Sequence, residues 1–252
     1  MKFLVTCKRV TDPEMKIKVN ENGDGIVLDD ATYAINPFDE IAIEEAIQKK
    51  EAMGEGEVVL ITIGGEESIP QVRQGLAMGA DRAVLVKVDD ADNLDSDAIA
   101  HILAAVYEEE EPDVFLTGKQ SIDGDSSQVP GLLAEYLELP QALFASEITY
   151  EDDEATVTRE VDGGSETLKL ELPAVISVDL RLNEPRYPSL PNIMKAKRKE
   201  IKEMSLDDLE VELEEQKVVF KRLIAPAQRK AGIIVNSVEE LFDKLKNEAK
   251  VL

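Results

Sequence analysis

Hydrophobic and polar positions in the first half of the chain alternate between short apolar runs and stretches of helical periodicity. Short, largely apolar runs are typical of strands that are buried on both faces, as in a parallel sheet covered by helices. The pattern therefore predicts an α/β fold with a mostly parallel sheet and helices on both faces. The predicted strands are Phe3–Cys7, Val58–Ile63, Ala83–Val88 and Val114–Thr117.

Capping residues mark the expected helix termini. Asn36 followed by Pro37 has the form of an N-cap and first helical residue, and this helix should end near Met53, before Gly54. The segment Ser68–Gln71 has the spacing of a capping box. Further helices are predicted to start at Asp95, after Gln128 and at Ser237.

Antiparallel structure is predicted where apolar and polar residues alternate singly. After Pro140 this pattern predicts a three-stranded meander, followed by a buried strand at Ala174–Val178. The meander strands are Ile148–Tyr150, Thr156–Val161 and Thr167–Leu172, and an earlier hairpin is predicted from Ile17–Val19 and Ile26–Leu28.

The last third of the chain lacks a clear period. It is rich in proline from Arg181 and irregular from residue 200 to residue 235, yet it carries many large apolar residues. We expect an α/β domain at residues 1–180, a recognition loop and basic segment at 181–199, and a C-terminal arm at 200–252 that packs on a partner subunit.

Composition excludes several functional classes. A net charge of −25 argues against general nucleic-acid binding, and one histidine with one cysteine leaves few ligands for a zinc or redox-metal site. The chain shows no membrane-spanning run and no signal peptide, so a cytoplasmic protein is expected. Cys7 is expected to be a small buried hydrophobe and His101 to be structural or solvated.

The strongest candidate site is the loop from Gly118 to Gln128, between a predicted strand and a helix start. Backbone N–H groups at such a helix N-terminus attract anions, and Ser126, Ser127 and Gln128 add side-chain donors. The loop matches neither the P-loop nor the dinucleotide-binding fingerprint, so an ordinary capped βα loop remains an alternative. The Asn36–Asp39 segment is either a plain helix cap or a second wall of the same crevice. We find no catalytic constellation in the sequence.

A third candidate is the segment from Asp179 to Lys195, which three prolines at 185, 188 and 191 stiffen. Leu190 lies between Ser189 and Pro191 in an expected exposed loop, where an apolar side chain is a plausible anchor for a partner's pocket. The alternative is a connector that packs on its own domain.

These stretches together resemble the electron-transfer flavoprotein β-subunit family. The resemblance spans nearly the whole chain and is carried by several motifs in order. They are Val5–Val10, Asn36–Phe38, Leu76–Arg82, Gly118–Gln120, Arg159–Thr167, Leu182–Tyr187 and Leu190–Lys197.

The resemblance implies a Rossmann-like domain in an αβ heterodimer, with AMP in this subunit and FAD at the interface, held mainly by the α-subunit. The implied AMP contacts are Thr6, Asn36, Pro37, Phe38, Asp39, Ile63, Gly118, Lys119, Gln120, Ser121, Ile122, Asp123, Gly124, Asp125, Ser126, Ser127, Gln128 and Val129. The implied partner-recognition residues are Glu184, Pro185, Arg186, Tyr187, Leu190, Pro191, Asn192, Ile193, Met194 and Lys195, with Lys195–Lys199 as a basic flank.

The implied function is electron transport without catalytic residues of the chain's own. Electrons would come from flavin dehydrogenases, such as the acyl-CoA dehydrogenases of fatty acid oxidation, and go to a quinone oxidoreductase. A branch of the family binds a second FAD in place of AMP and bifurcates electrons, but Leu182–Tyr187 and Leu190–Lys197 are more similar to the non-bifurcating branch. Alternatives of another class are an adenine-nucleotide-binding α/β enzyme and a stand-alone nucleotide sensor.

Overall fold

A nine-stranded sheet forms the centre of this computed structural model, which describes residues 1–151, 153–227, 229 and 231–252. The chain forms two compact units, one of residues 1–17 and 28–220 and one of residues 18–27 and 221–252. The strands are β1 (Lys2–Thr6), β2 (Arg9–Thr11), β3 (Tyr33–Ile35), β4 (Glu57–Gly64), β5 (Arg82–Lys87), β6 (Val114–Gly118), β7 (Gln141–Glu151), β8 (Glu154–Val161), β9 (Gly164–Glu171), β10 (Ala174–Val178) and β11 (Ile201–Ser205).

The strand order of the large sheet is β11-β5-β4-β1-β6-β10-β7-β8-β9, and β2 pairs with β3 separately. All neighbours from β11 to β7 are parallel, and β7, β8 and β9 form the predicted antiparallel meander. Strand β7 belongs to both parts, because its start pairs with β10 and its end with β8. The predicted α/β fold with a mostly parallel sheet is confirmed.

Helices cover both faces of the sheet, as predicted. Successive strand side chains point to opposite faces, so Phe3 and Val5 pack with the helices of residues 37–53 and 69–78, whereas Leu4 packs with those of residues 96–110 and 129–136. Cys7 is buried in the first cluster, as expected. The helices are α1 (Pro37–Met53), α2 (Ile69–Met78), α3 (Ser96–Glu110), α4 (Val129–Tyr136), α5 (Leu190–Ala196) and α6 (Val238–Asp243).

Most predicted helix termini are confirmed. Gly54 adopts the left-handed conformation and closes α1, Asp95 accepts the N–H of Ala98, and Ser237 accepts the N–H of Glu240. The capping box at Ser68 is wrong. Ser68 already has helical backbone angles and makes no capping bond, and the Gln71 amide donates to the carbonyl of Tyr33 instead.

Three further predictions of local structure need correction. The hairpin before residue 30 is reduced to one bridge between Val19 and Ile26. The proline-rich loop contains α5, which begins because Ser189 caps it and Pro191 fits its first turn. The sequence after residue 200 has no clear hydrophobic periodicity and did not predict β11, which pairs with β5. The boundaries proposed at residues 180 and 199 remain predictions, although the first unit extends to residue 220.

Helices α2 and α5 are joined by reciprocal capping. The Arg73 guanidinium donates to the carbonyls of Ala196 and Lys199, and the Lys199 ammonium donates to those of Leu76 and Ala80. Burial lowers the pKa of Lys199. The expectation that the whole run Lys195–Lys199 is a basic flank is therefore wrong for Lys199, whose charge is used inside the fold.

The second unit exposes a large share of its apolar side chains. Helix α6 lies in this unit, and the N–H of Leu223 donates to the carbonyl of Gly23. Its strongly exposed apolar residues include Ile224, Ile233, Ile234, Val238 and Phe242. Among the described residues of the whole chain, no helix is long and apolar enough to cross a membrane.

An ion-pair network ties the sheet to α3 at the edge opposite the carboxyl ends. The Glu110 carboxylate lies 2.5 Å from the Arg82 guanidinium and 2.8 Å from the Lys2 ammonium, and its side chain is nearly buried. Burial opposes ionisation of Glu110, but the hydrogen bonds and charges of Arg82 and Lys2 prevail and lower its pKa to about 2.

Replacing Glu110 with glutamine should destabilise the protein in a pH-dependent way. Because the pKa is lowered by folding, the contribution is complete above the unfolded value of 4.5 and is lost as pH falls towards about 2. We expect a loss of at most about 3 kcal/mol at pH 7. Urea unfolding of wild type and Glu110→Gln at pH 7 and pH 3 measures it, and a pH-independent difference would contradict the ionic origin.

Candidate functional site

The predicted site residues meet at the carboxyl edge of the parallel sheet. Thr6 ends β1, Ile63 lies one residue before the end of β4, and Gly118 ends β6. Residues Asn36–Asp39 begin α1, and the loop 119–128 leads into α4. Ile63 is half-buried and packs on the α3–α4 side of the sheet. Crevices at such strand ends are the usual ligand sites of open α/β sheets.

Asp39 is the centre of this edge. Its Oδ1 accepts the Thr6 hydroxyl at 2.8 Å and the Gly118 N–H at 3.0 Å, and its Oδ2 accepts the Lys8 N–H at 2.7 Å. The residue is 3% exposed, and burial raises its pKa although the three hydrogen bonds oppose the increase. Thr6 and Asp39, both predicted AMP contacts, thus bond to each other and fix two strand ends to α1.

Asn36 holds the loop rather than the helix. Its amide nitrogen donates to the carbonyl of Gln120 at 2.9 Å, and its amide oxygen accepts the N–H of Ile122 at 3.3 Å. The side chain makes no capping bond to α1. The local sequence cannot distinguish these two uses of an asparagine, so the interpretation as a helix cap alone is wrong.

The acidic residues of the loop are already paired. The Lys8 ammonium contacts the Asp123 carboxylate at 2.7 Å, which lowers the pKa of Asp123 against the effect of burial. The Gln120 amide donates to Asp125 at 2.6 Å and accepts the Ser127 hydroxyl at 3.0 Å. These contacts fold the loop on itself, and the Lys8 ammonium reduces the repulsion that the Asp123 carboxylate would exert on an anion.

Position 118 requires a glycine because the start of α1 approaches the end of β6 closely there. A Cβ at this position would lie 2.6 Å from the Cβ of Phe38 and 2.7 Å from the Oδ1 of Asp39. Any side chain would therefore push α1 away from the end of β6. The glycine allows α1 to start directly beside the loop.

Lys119 is engaged with protein groups rather than free. Its ammonium lies 2.8 Å from the Asp179 carboxylate and within 6 Å of two aromatic ring centroids, those of Phe38 and Phe144. Phe144 has a positive φ of 67°, an unusual backbone conformation for an aromatic residue. The sequence did not predict Lys8, Phe144 and Asp179 as parts of this edge, although Lys8 and Asp179 closely follow strands that end there.

The remaining loop groups face solvent and can serve a ligand. Gly124, Ser126 and Gln128 are exposed, and the Ser126 hydroxyl lies 3.1 Å from that of Ser96 on α3. Helix α4 has no side-chain cap at its N-terminus. An uncapped helix start beside serine hydroxyls suits an anionic oxygen.

A second feature is the segment that follows β10. Arg186 pairs with Glu44 and Glu51 of α1, and Asn183 donates to the carbonyl of Ile41. The segment thus packs on its own domain, yet it presents exposed apolar side chains. These are Tyr187, Leu190, Ile193 and Met194, which we call the recognition surface.

Replacing Asp39 with asparagine should damage both stability and ligand binding. One oxygen would become an NH₂ group facing an N–H or hydroxyl donor, which leaves buried donors unpaired and costs about 2–3 kcal/mol. Thermal unfolding measures the first effect, and titration with AMP, the ligand that the resemblance implies, measures the second. The exposed Asp92→Asn makes the same charge change and should alter neither. Wild-type stability in Asp39→Asn would contradict the central role of this carboxylate.

Known proteins are similar to this chain along its whole length. Residues 24–209 match the model of the electron transfer flavoprotein domain. The chain is 49% identical to the electron transfer flavoprotein subunit beta of Bradyrhizobium diazoefficiens, 48% to the mitochondrial one of Oryza sativa subsp. indica and 44% to the human one. Each similarity covers 100% of this chain and 99–100% of the relative. The chain belongs to the electron transfer flavoprotein β-subunit family.

Proposed function

We propose that this chain joins an α-subunit in a heterodimer that carries electrons from flavin dehydrogenases, acyl-CoA dehydrogenases among them, to a quinone oxidoreductase. The observation that carries the proposal is the similarity along the whole chain to relatives named electron transfer flavoprotein subunit beta. In this function the chain is a carrier subunit without catalytic residues of its own. Its work is binding, positioning and partner recognition.

AMP is the proposed ligand of the carboxyl edge. The residues present fit an adenine mononucleotide, because Gly118 lets α1 start directly beside the loop and the loop carboxylates are engaged within the protein, Asp123 by Lys8 and Asp125 by Gln120. Backbone N–H groups at the start of α4, with the hydroxyls of Ser126 and Ser127, would hold the phosphate. Thr6, Asn36 and Asp39 would hold the frame of the site through the bonds that they make to one another and to the loop.

FAD is proposed to lie between the two subunits, held mainly by the α-subunit. When bound, the flavin supplies the one-electron chemistry. This chain would contribute a wall that excludes water. The exposed apolar residues of the second unit support an extensive contact with the α-subunit, because apolar side chains at this density are stabilised by burial against a partner.

The recognition surface is proposed to dock onto the dehydrogenases. Leu190 is 73% exposed at the first turn of α5, and Ile193 and Met194 follow at the helical spacing of three and four residues. Such a face fits an apolar pocket of a partner. The exposed Lys195 and Lys197 beside it would accelerate encounter with an acidic rim.

A cytoplasmic location is part of the same proposal. The rice and Arabidopsis relatives are named as mitochondrial proteins, so members of the family also work in an organelle. Fractionation of the source cells with an antibody to this chain distinguishes the two locations.

Counting released nucleotides tests the cofactor assignment. We expect one FAD and one AMP per heterodimer after co-expression with the α-subunit, purification and acid release, measured by chromatography. Two FAD and no AMP would keep the chain in its family but change its function to electron bifurcation. Absence of flavin from a stable homodimer would contradict the carrier function altogether.

Truncating Leu190 to alanine tests the docking surface. We expect slower electron transfer from an acyl-CoA dehydrogenase, with a loss of about 2 kcal/mol in partner binding, because the side chain leaves an apolar pocket unfilled. The FAD content should not change. Met53→Ala removes another exposed apolar side chain, at the end of α1, and is the control. Wild-type transfer rates in Leu190→Ala would refute the anchor.

A further inference from the structure

The recognition surface is held in place by helix α1. We propose that Glu44 and Glu51, acting through Arg186, fix the position of this surface, so that Arg186 is a positioning residue and not a contact to the partner. The proposal rests on the docking function given above. It adds Glu44 and Glu51 of α1 to the residues that support docking, and it changes the expected role of Arg186 from partner contact to positioning.

The Arg186 guanidinium is fully engaged by the two carboxylates. Its Nε lies 2.9 Å from Glu44 Oε2, and its Nη1 lies 2.7 Å from Glu51 Oε1. Its Nη2 donates to both residues, at 3.0 and 2.9 Å. A guanidinium whose three nitrogens all donate to carboxylates has little capacity left for a partner group.

The two carboxylates hold the arginine from different depths. The Glu44 side chain is 3% exposed and also accepts the amide of Gln48, whereas the Glu51 side chain is 59% exposed. Glu44 therefore forms the fixed end of the anchor, and Glu51 closes the solvent side. The hydrogen bond to Arg186 lowers the pKa of Glu51 and keeps this carboxyl ionised.

The anchor acts directly before the exposed side chains. Asn183 bonds to the carbonyl of Ile41 and Arg186 to Glu44, which fixes the segment to α1 at two points. The next residue, Tyr187, is 96% exposed. A segment that is ordered before docking loses less conformational entropy on binding. The anchor should therefore strengthen partner binding without taking part in the electron transfer itself.

The test compares Glu51→Gln and Arg186→Lys with Glu55→Gln in the heterodimer. Glu55 is exposed and makes no ion pair among the described residues, so this variant controls for the charge change near the end of α1. The probe is a purified medium-chain acyl-CoA dehydrogenase with its acyl-CoA substrate. The measured quantities are kcat and the KM for the heterodimer. Hydrogen exchange of residues 183–190 in the free heterodimer provides a second readout.

We expect Glu51→Gln to raise KM about threefold. Arg186→Lys should raise KM about tenfold, because a lysine keeps the charge but cannot bridge both carboxylates. Both should leave kcat and nucleotide content unchanged, and both should increase exchange in residues 183–190. Leu190→Ala should raise KM without increasing that exchange, because it removes a contact and not the anchor.

Three results would overturn the inference. Wild-type KM in both anchor variants, with a raised KM in Leu190→Ala, would remove the positioning role and leave docking intact. A raised KM in Arg186→Lys without increased exchange would make Arg186 a direct contact. No reduction of the wild-type heterodimer by the dehydrogenase would refute the docking function itself, and the positioning role with it.

Discussion

One buried carboxylate determines the geometry of the carboxyl edge. Asp39 accepts hydrogen bonds from Thr6 at the end of β1, from the backbone N–H of Lys8 and from that of Gly118 at the end of β6. A buried carboxylate that lost these donors would be strongly unfavourable, so the two strand ends and the start of α1 must keep their relative positions. This arrangement fixes the position at which the loop after Gly118 begins.

Helix α1 connects the two surfaces proposed to carry the function. Its first residues hold the loop through Asn36 and Asp39, and its middle and last turns hold the recognition surface through Glu44 and Glu51. One helix, buried against the sheet, therefore fixes the positions of both sites. The distance between them is set by the helix, which rises about 1.5 Å per residue.

The sequence predicts what local pattern encodes. Strands β1, β4 and β6 could be recognised because they are apolar throughout, and α1 because a capping residue, a proline and a glycine mark its ends. Strand β11 could not, because it is as short as β1 but carries two exposed charged residues and forms only against β5. Helix α5 could not, because it has only seven residues and depends on contacts with α2. The partners of Asp39 lie up to 79 residues away in the chain, so its role needs the tertiary structure.

The position of β11 in the sheet has a consequence for synthesis of the chain. Strand β5 is apolar and buried, and one of its two neighbours is β11, which leaves the ribosome only after residue 205. Until then, β5 presents an open edge of unpaired backbone groups, which is a template for association with other nascent chains. Strand β11 then becomes the edge of the sheet and carries the exposed charged residues Lys202 and Glu203, whereas chains that stop before residue 201 keep the apolar edge of β5.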